Sequence, residues 1–293
     1  MDADNINRIN ILELNPEANG TTMNEMKRKG ARSAKDIPTD ILNLLNRGEM
    51  ETANLVEWLA VDQKILLGNL LSYYRRTDYL ETVLSKIDQL KKQTVNTINE
   101  AIGIGLFELA SQNKDKEFLT IMSNHPADLV RCWATYAIGK NDHLDIAQTL
   151  QQIRPFAADT HFGVREICWM AIRAKIAKNL PESMAILSGW TSNDDENIRR
   201  FTTEATRPRG VWCEHIEVLK QQPELGLPIL ERLRSDKAKY VRDSVGNWLN
   251  DVSKTQPDFV TQLCARWERE SDTKETKYII KKAMRAIKSS EGY

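Results

Sequence analysis

The chain has 293 residues, with 41 Lys and Arg against 41 Asp and Glu. With 41% hydrophobic and 28% charged residues, and only 13 Gly and 9 Pro, it is neither disordered nor collagen-like, and it is long enough to bury one large core or two ordinary ones. Exact charge balance excludes a uniformly basic protein that would coat nucleic acid or membranes by bulk charge, but not a basic face offset by an acidic one.

In chain order, the N-terminal stretch Met1–Asn5 is acidic and polar and has neither the cationic nor the apolar region of a secretory leader. The run Lys27-Arg28-Lys29-Gly30-Ala31-Arg32 reads as a solvated linker, with a DNA-backbone contact as the sharper alternative. Ile41, Leu44 and Leu45, then Leu55, Trp58 and Leu59, recur at helical spacing, as do the apolar residues from Val95 to Leu109. Long alternating strand patterns and Asn-Gly or Asp-Gly hairpin turns are absent. The sequence therefore predicts an all-α protein.

An internal repeat dominates the rest. An aliphatic residue followed by Arg opens an apolar helix at Val130-Arg131, Val164-Arg165, Ile198-Arg199 and Val241-Arg242, with arginine spacings of 34, 34 and 43 residues. A looser fifth copy is placed at Tyr278-Ile279, and each copy follows a short polar break such as Ala158-Asp159-Thr160 or Ser235-Asp236. Two helices per ~40 residues in series is the pattern of HEAT-type repeats, in which neighbours stack because one helix pair cannot hide its apolar face alone. The expected architecture is a HEAT-like superhelix, an α-solenoid, over residues 96–293, preceded by a helical N-terminal cap over 1–95. The repeating arginines are expected to tie neighbouring repeats together. His125 and His161, in the loops between repeats, are expected to cap turns.

On the helix from Val241, the residues Val241, Val245, Trp248, Leu249 and Val252 share one face at about 100° per residue, with Ser244, Asn247 and Asp251 along its edge. The position six residues after the leading aliphatic reads Tyr136, Met170, Glu204, Asn247 and Arg285. Stacked repeats bring this column into line, so Glu204 and Asp251 are expected to project toward one groove. The charge is uneven. Residues 199–293 hold 19 Lys and Arg against 14 Asp and Glu, whereas 1–198 hold 22 against 27. Two acids inside a cationic surface suit an anionic polymer whose local chemistry needs negative charge, and Arg grips phosphate through its planar fork.

These residues carry a resemblance. Arg199-Arg200-Phe201-Thr202-Thr203-Glu204-Ala205-Thr206-Arg207-Pro208-Arg209-Gly210-Val211-Trp212, followed by Tyr240-Val241-Arg242-Asp243-Ser244-Val245-Gly246-Asn247-Trp248-Leu249-Asn250-Asp251, resembles the AlkC-type DNA glycosylases of the HEAT-like-repeat alkylpurine glycosylase superfamily. The resemblance implies that Glu204 is the groove glutamate, that Trp212 packs near the lesion and that Asp251 is the active-site aspartate. Trp169 stands where the family carries a second glutamate, and Glu166, nearly one turn earlier, is the substitute. The resemblance implies hydrolysis of the N-glycosidic bond of cationic N3- or N7-alkylated purines in duplex DNA, through carboxylates that stabilise an oxocarbenium-like transition state. The DNA-contacting residues assigned are Arg207, Arg209, Arg242, Arg200, Lys239, Asn247 and Trp248. An immunoglobulin-like C-terminal domain, which some members carry, is not expected.

Other features bound the reading. Cys132, Cys168, Cys213 and Cys264 lie 36, 45 and 51 residues apart, and with the four histidines show no zinc spacing, so no metal and no cofactor is expected. No run approaches the ~18 apolar residues of a membrane span. The expected setting is cytoplasmic, with alkylated double-stranded DNA as partner and a monomer acting on it. The alternative is a non-catalytic HEAT-repeat protein, either a DNA-damage binder or an interaction scaffold.

Overall fold

The computed structural model describes residues 28–210 and 213–290, the side chains of 288–290 excepted. The described residues contain seventeen α-helices and no strand. They are α1 (Thr39–Arg47), α2 (Leu55–Ala60), α3 (Gln63–Tyr73), α4 (Leu80–Asp88), α5 (Val95–Gln112), α6 (Lys116–Ser123), α7 (Asp128–Gly139), α8 (Ile146–Ala157), α9 (Phe162–Lys178), α10 (Leu180–Trp190), α11 (Glu196–Glu204), α12 (Glu217–Gln221), α13 (Leu227–Leu233), α14 (Lys239–Val252), α15 (Pro257–Glu270), α16 (Lys274–Ala283) and α17 (Arg285–Ser290).

Local chemistry sets several boundaries. Asp62, Asp115, Asp145 and Asp195 each accept a backbone N–H in the first turn of α3, α6, α8 and α11. Those donors have no partner within the helix, so such caps stabilise its start. Two layers then stack. In one, α5, α7, α9, α11, α14 and α16 follow one another; in the other, α8 packs on α10 and α10 on α13. Apolar side chains from both layers, among them Trp133, Ile172, Leu230, Trp248 and Trp267, form one continuous core.

Glycines let two of the stacked helices approach closely. A Cβ on Gly139 of α7 would lie 2.3 Å from the Ala171 carbonyl oxygen of α9, and one on Gly103 of α5 would lie 2.5 Å from the Trp133 carbonyl oxygen of α7. Gly139→Ala is therefore expected to force the α7–α9 pair apart and to destabilise the chain by about 1–3 kcal/mol, as overpacking does. Urea unfolding checks this, and an unchanged midpoint would contradict it.

The arginine repeat has a constant structural basis. Nη1 of Arg131, Arg165, Arg199 and Arg242 donates in each case to the carbonyls six and five residues earlier, in the loop that precedes its own helix. Arg131 and Arg199 also reach the next repeat, through Asp159 and Asp236. The fifth copy is displaced from the expected register. With Thr273 capping α16, the position equivalent to those arginines is Lys277, because the loop before α16 is shorter than the match to Tyr240-Val241 implies. His125 and His161 do cap turns: Nδ1 of each accepts the N–H two residues on.

The N-terminal helices are bound into the stack. Trp133 Nε1 donates to Asn99 and Gln63, and Asp128 accepts from the backbone and hydroxyl of Thr52. In the basic run, Arg28 is neither a solvated linker residue nor a free cation. Both its terminal nitrogens bond Glu57 at 2.6 Å, and Glu57 is fully buried. Lys27 lies outside the described residues.

Candidate nucleic-acid interface

Glu204 closes α11 and Asp251 lies near the end of α14, two helices that pack directly against each other. Adjacent stacking brings the two acids to one place, as their common flank implies, with Asp251 one turn beyond Asn247, the column partner of Glu204. Neither is a solvated surface acid, since their side chains are only 5% and 6% exposed.

They belong to a row of alternating charge. Arg200 bonds Glu166 at 2.6 Å and lies 3.5 Å from Glu204. Arg207 lies 3.4 Å from Glu204 and 2.9 Å from Asp251. Lys254 stands 3.8 Å from the other oxygen of Asp251. The two arginines are mostly covered, so these attractions act in a less screened setting than surface pairs do. Burial pushes the Asp251 carboxyl above its ordinary value, and the Arg207 guanidinium pulls against that shift.

The loop after α11 is pinned from below. The buried guanidinium of Arg173 donates to the carbonyls of Glu214 and Ala205, at 2.8 and 3.2 Å, and to that of Arg207. Arg209 Nε donates to the Asp251 carbonyl at 3.1 Å. Arg173 thus fixes the backbone that aims Arg207 and Arg209. Sequence reasoning passed over it; its signal was an arginine on the apolar face of α9, where an unpaired charge would be costly.

The other predicted residues distribute as follows. Glu166 takes part in the row and also accepts from Trp169 Nε1 at 3.1 Å, so the tryptophan in the glutamate position and its proposed substitute are bonded to each other. Lys239, largely exposed, pairs with Asp243. Asn247 accepts from Arg285 at 3.0 Å. Arg242 holds its own loop. Trp248 is not on the surface where a DNA contact would require it. It is 1% exposed, and its indole N–H donates to the Thr206 carbonyl at 2.9 Å, because the helix face that carries Val245 and Leu249 also carries it. Trp212 lies outside the described residues. A further neighbour, Cys213, is partly buried beside Arg173 and Glu204, and burial raises its thiol pKa.

Among the described residues, no three His, Cys, Asp or Glu side chains are grouped so that they could hold a metal ion, and no helix is long and apolar enough to cross a membrane.

The row of acids and arginines thus lies within an all-helical, HEAT-like stack. Residues 144–287 match the family described as DNA alkylation repair enzyme. An uncharacterized protein of Bacillus subtilis (strain 168), YhaZ, is 34% identical over 142 residues, a match that spans 48% of this chain and 38% of that protein. The fold resembles that of the Pseudomonas fluorescens alkylpurine DNA glycosylase AlkC, solved bound to DNA containing an abasic site analog. The TM-score is 0.63 at 20% identity, over 90% of this chain and 67% of that one. It also resembles AlkD2 from Streptococcus mutans, with a TM-score of 0.56 at 21% identity, over 74% of this chain and 98% of that one.

Proposed function

We propose that the chain is a DNA glycosylase that hydrolyses the N-glycosidic bond of cationic N3- or N7-alkylated purines, such as 3-methyladenine, in duplex DNA. The observation that carries this reading is the pair of buried carboxylates, Glu204 and Asp251, bridged by Arg207, in a chain that matches the alkylation repair family over residues 144–287.

The chemistry asks little of the protein. An alkylated purine carries positive charge and leaves as a neutral base, so the glycosidic bond is already weak. What remains is to stabilise positive charge on the deoxyribose and to orient a water. Preorganised carboxylates do this through space, as they do in sugar hydrolysis. In this reading Asp251 and Glu204 face the sugar, Glu166 supports them through Arg200, and Trp212 packs near the lesion. Arg207 and Arg209 hold phosphates. A phosphate that draws Arg207 away from Asp251 leaves the charge of the ionised carboxylate less compensated when the sugar arrives.

Release of 3-methyladenine from methylated duplex DNA by the purified chain tests the proposal; no release above the uncatalysed rate would overturn it. A binder without chemistry is the competing reading. It is favoured by the fact that Glu204 and Asp251 are already paired to arginine, which lowers the field they can offer. Tight binding to damaged duplex without base release would select it.

The pH dependence follows from Asp251. Only the ionised carboxylate stabilises a cation. Because burial raises its pKa, activity is expected to fall, on acidification, at a pH above that of an ordinary aspartate. For stability the sign is opposite to that of a carboxylate with a depressed pKa. Protonation favours the folded state, so Asp251 stabilises the fold as pH drops through its raised value. In Arg207→Met the countercharge is gone and the acidic limb is expected to move further up. Single-turnover rates against pH measure it, and a limb that moves down would exclude Asp251 as the titrating group.

A further inference from the structure

The four repeat arginines share one anchor but divide by what their outer edge meets. Nε and Nη2 of Arg131 form a fork on Asp159 at 2.9 and 3.1 Å, and those of Arg199 a fork on Asp236 at 2.7 and 3.0 Å. Both aspartates stand two residues before the cap of the next stacked helix, where one carboxylate oxygen also accepts the N–H two residues on.

At the same loop position the next repeat after Arg165 carries Asn193. Its Oδ1 accepts the Asp195 N–H at 2.9 Å, so its other terminal atom is an amide nitrogen, which cannot accept from a guanidinium. After Arg242 the position is Ser271, whose hydroxyl is engaged with that of Thr276 at 2.8 Å. Arg165 and Arg242 therefore keep their loop bonds while Nε of each is buried without an acceptor among the described residues. Each guanidinium lies against a tyrosine ring, Arg165 at 5.6 Å from Tyr240 and Arg242 at 5.5 Å from Tyr278. Tyr240 is shared with Arg200, at 4.2 Å, so the first open fork borders the row that contains Glu204.

We propose that Arg165 and Arg242 are ligands for backbone phosphates, each turning toward a phosphate, Nη2 first, the edge that is paired to aspartate on the other two arginines. The inference rests on the DNA reading above and deepens it by dividing the repeat arginines into two structural and two phosphate-binding members. The guanidinium fork accepts the paired oxygens of a carboxylate or of a phosphate alike. A buried N–H without an acceptor is costly, which makes the open edge a place for an anion. The tyrosine faces hold the cations without neutralising them. Arg165 on α9 and Arg242 on α14 are two helix steps apart. At about 10 Å per step they lie roughly 20 Å from each other, about six nucleotides along one strand.

The test is the salt dependence of binding to a duplex with an abasic-site analog, for the unmodified chain, Arg165→Gln, Arg242→Gln, Arg199→Gln, Asn193→Asp and Ser192→Asp. Each lost phosphate contact is expected to reduce the slope of log K against log salt by about 0.9. Arg165→Gln and Arg242→Gln are expected to show that reduction, and Arg199→Gln to keep the slope while lowering the thermal midpoint. Asn193→Asp removes no cation but supplies the missing carboxylate to Arg165, so it is expected to flatten the slope and raise the midpoint. Ser192→Asp, exposed and carrying the same added charge, is expected to leave both unchanged. Folded Arg165→Gln and Asn193→Asp with the parent slope would overturn the assignment and leave the DNA reading intact; if Arg165→Gln does not fold, Asn193→Asp decides. A parent chain without salt-dependent duplex binding would overturn the DNA reading itself.

Discussion

Asp251→Asn is expected to slow release of 3-methyladenine by about 10²–10³-fold while the chain stays folded and still binds DNA. That is the size of effect seen when one preorganised electrostatic group is removed from a transition state. The substitution isolates charge from shape. Asparagine fills the same volume, and its carbonyl oxygen can still accept from the Arg207 guanidinium, which now stands 2.9 Å from the carboxylate. What disappears is the negative charge that would face the developing sugar cation. Glu204→Gln is expected to act in the same direction through the second arm of Arg207. The two together should cost less than the product of the single effects, because the acids share one arginine and are coupled. Rates measured in a single turnover, with binding measured separately, check this. Unchanged release from Asp251→Asn would remove the aspartate from the chemistry.

The second large effect concerns stability. Arg199→Ala strands the buried carboxylate of Asp236 and leaves the Asn193 and Asp194 carbonyls without their donor. Breaking a buried pair by removing one partner costs about 3–5 kcal/mol. The lower end, about 3 kcal/mol, corresponds to a thermal midpoint roughly 5 °C lower for a chain of this length. Arg165→Ala should cost much less, since no carboxylate is stranded by it. Thermal unfolding of the two variants side by side is the check. Equal losses would mean that the inter-repeat fork on Asp236 contributes nothing beyond the loop anchor that all four arginines share.

Much of this protein was legible before its structure. The helical period of Val241, Val245, Leu249 and Val252 marks a face that must be buried, and each of these side chains is buried. The recurrence of an aliphatic-Arg pair at near-constant spacing betrayed the stack, because every repeat solves the same packing problem with the same residues. Glu204 and Asp251 could be placed together for a related reason: Asn247 holds the offset of Glu204 in the next repeat, and Asp251 lies one turn further along the same flank. The same pattern misplaced Trp248, since an aromatic on an apolar face reads equally as core or as display until the neighbouring helix is known. It also misread Arg28, whose partner Glu57 lies 29 residues away, with no periodicity to announce it.

Sequence alone thus determined the all-helical class, the repeat and the coincidence of basic charge with two acids, because period and offset are local properties that stacking preserves. Only the tertiary structure decided how the charges pair. Whether Arg165 meets a carboxylate or an amide depends on a single side chain in the following loop, Asn193, where Arg131 and Arg199 meet Asp159 and Asp236. Whether Glu204 and Asp251 lie bare or under arginine depends on how the loop from Thr206 to Arg209 is held by Arg173 and Trp248. Such pairings act over distances of about 3 Å between atoms far apart in the chain, and burial sets their strength. No pattern within one helix carries that information.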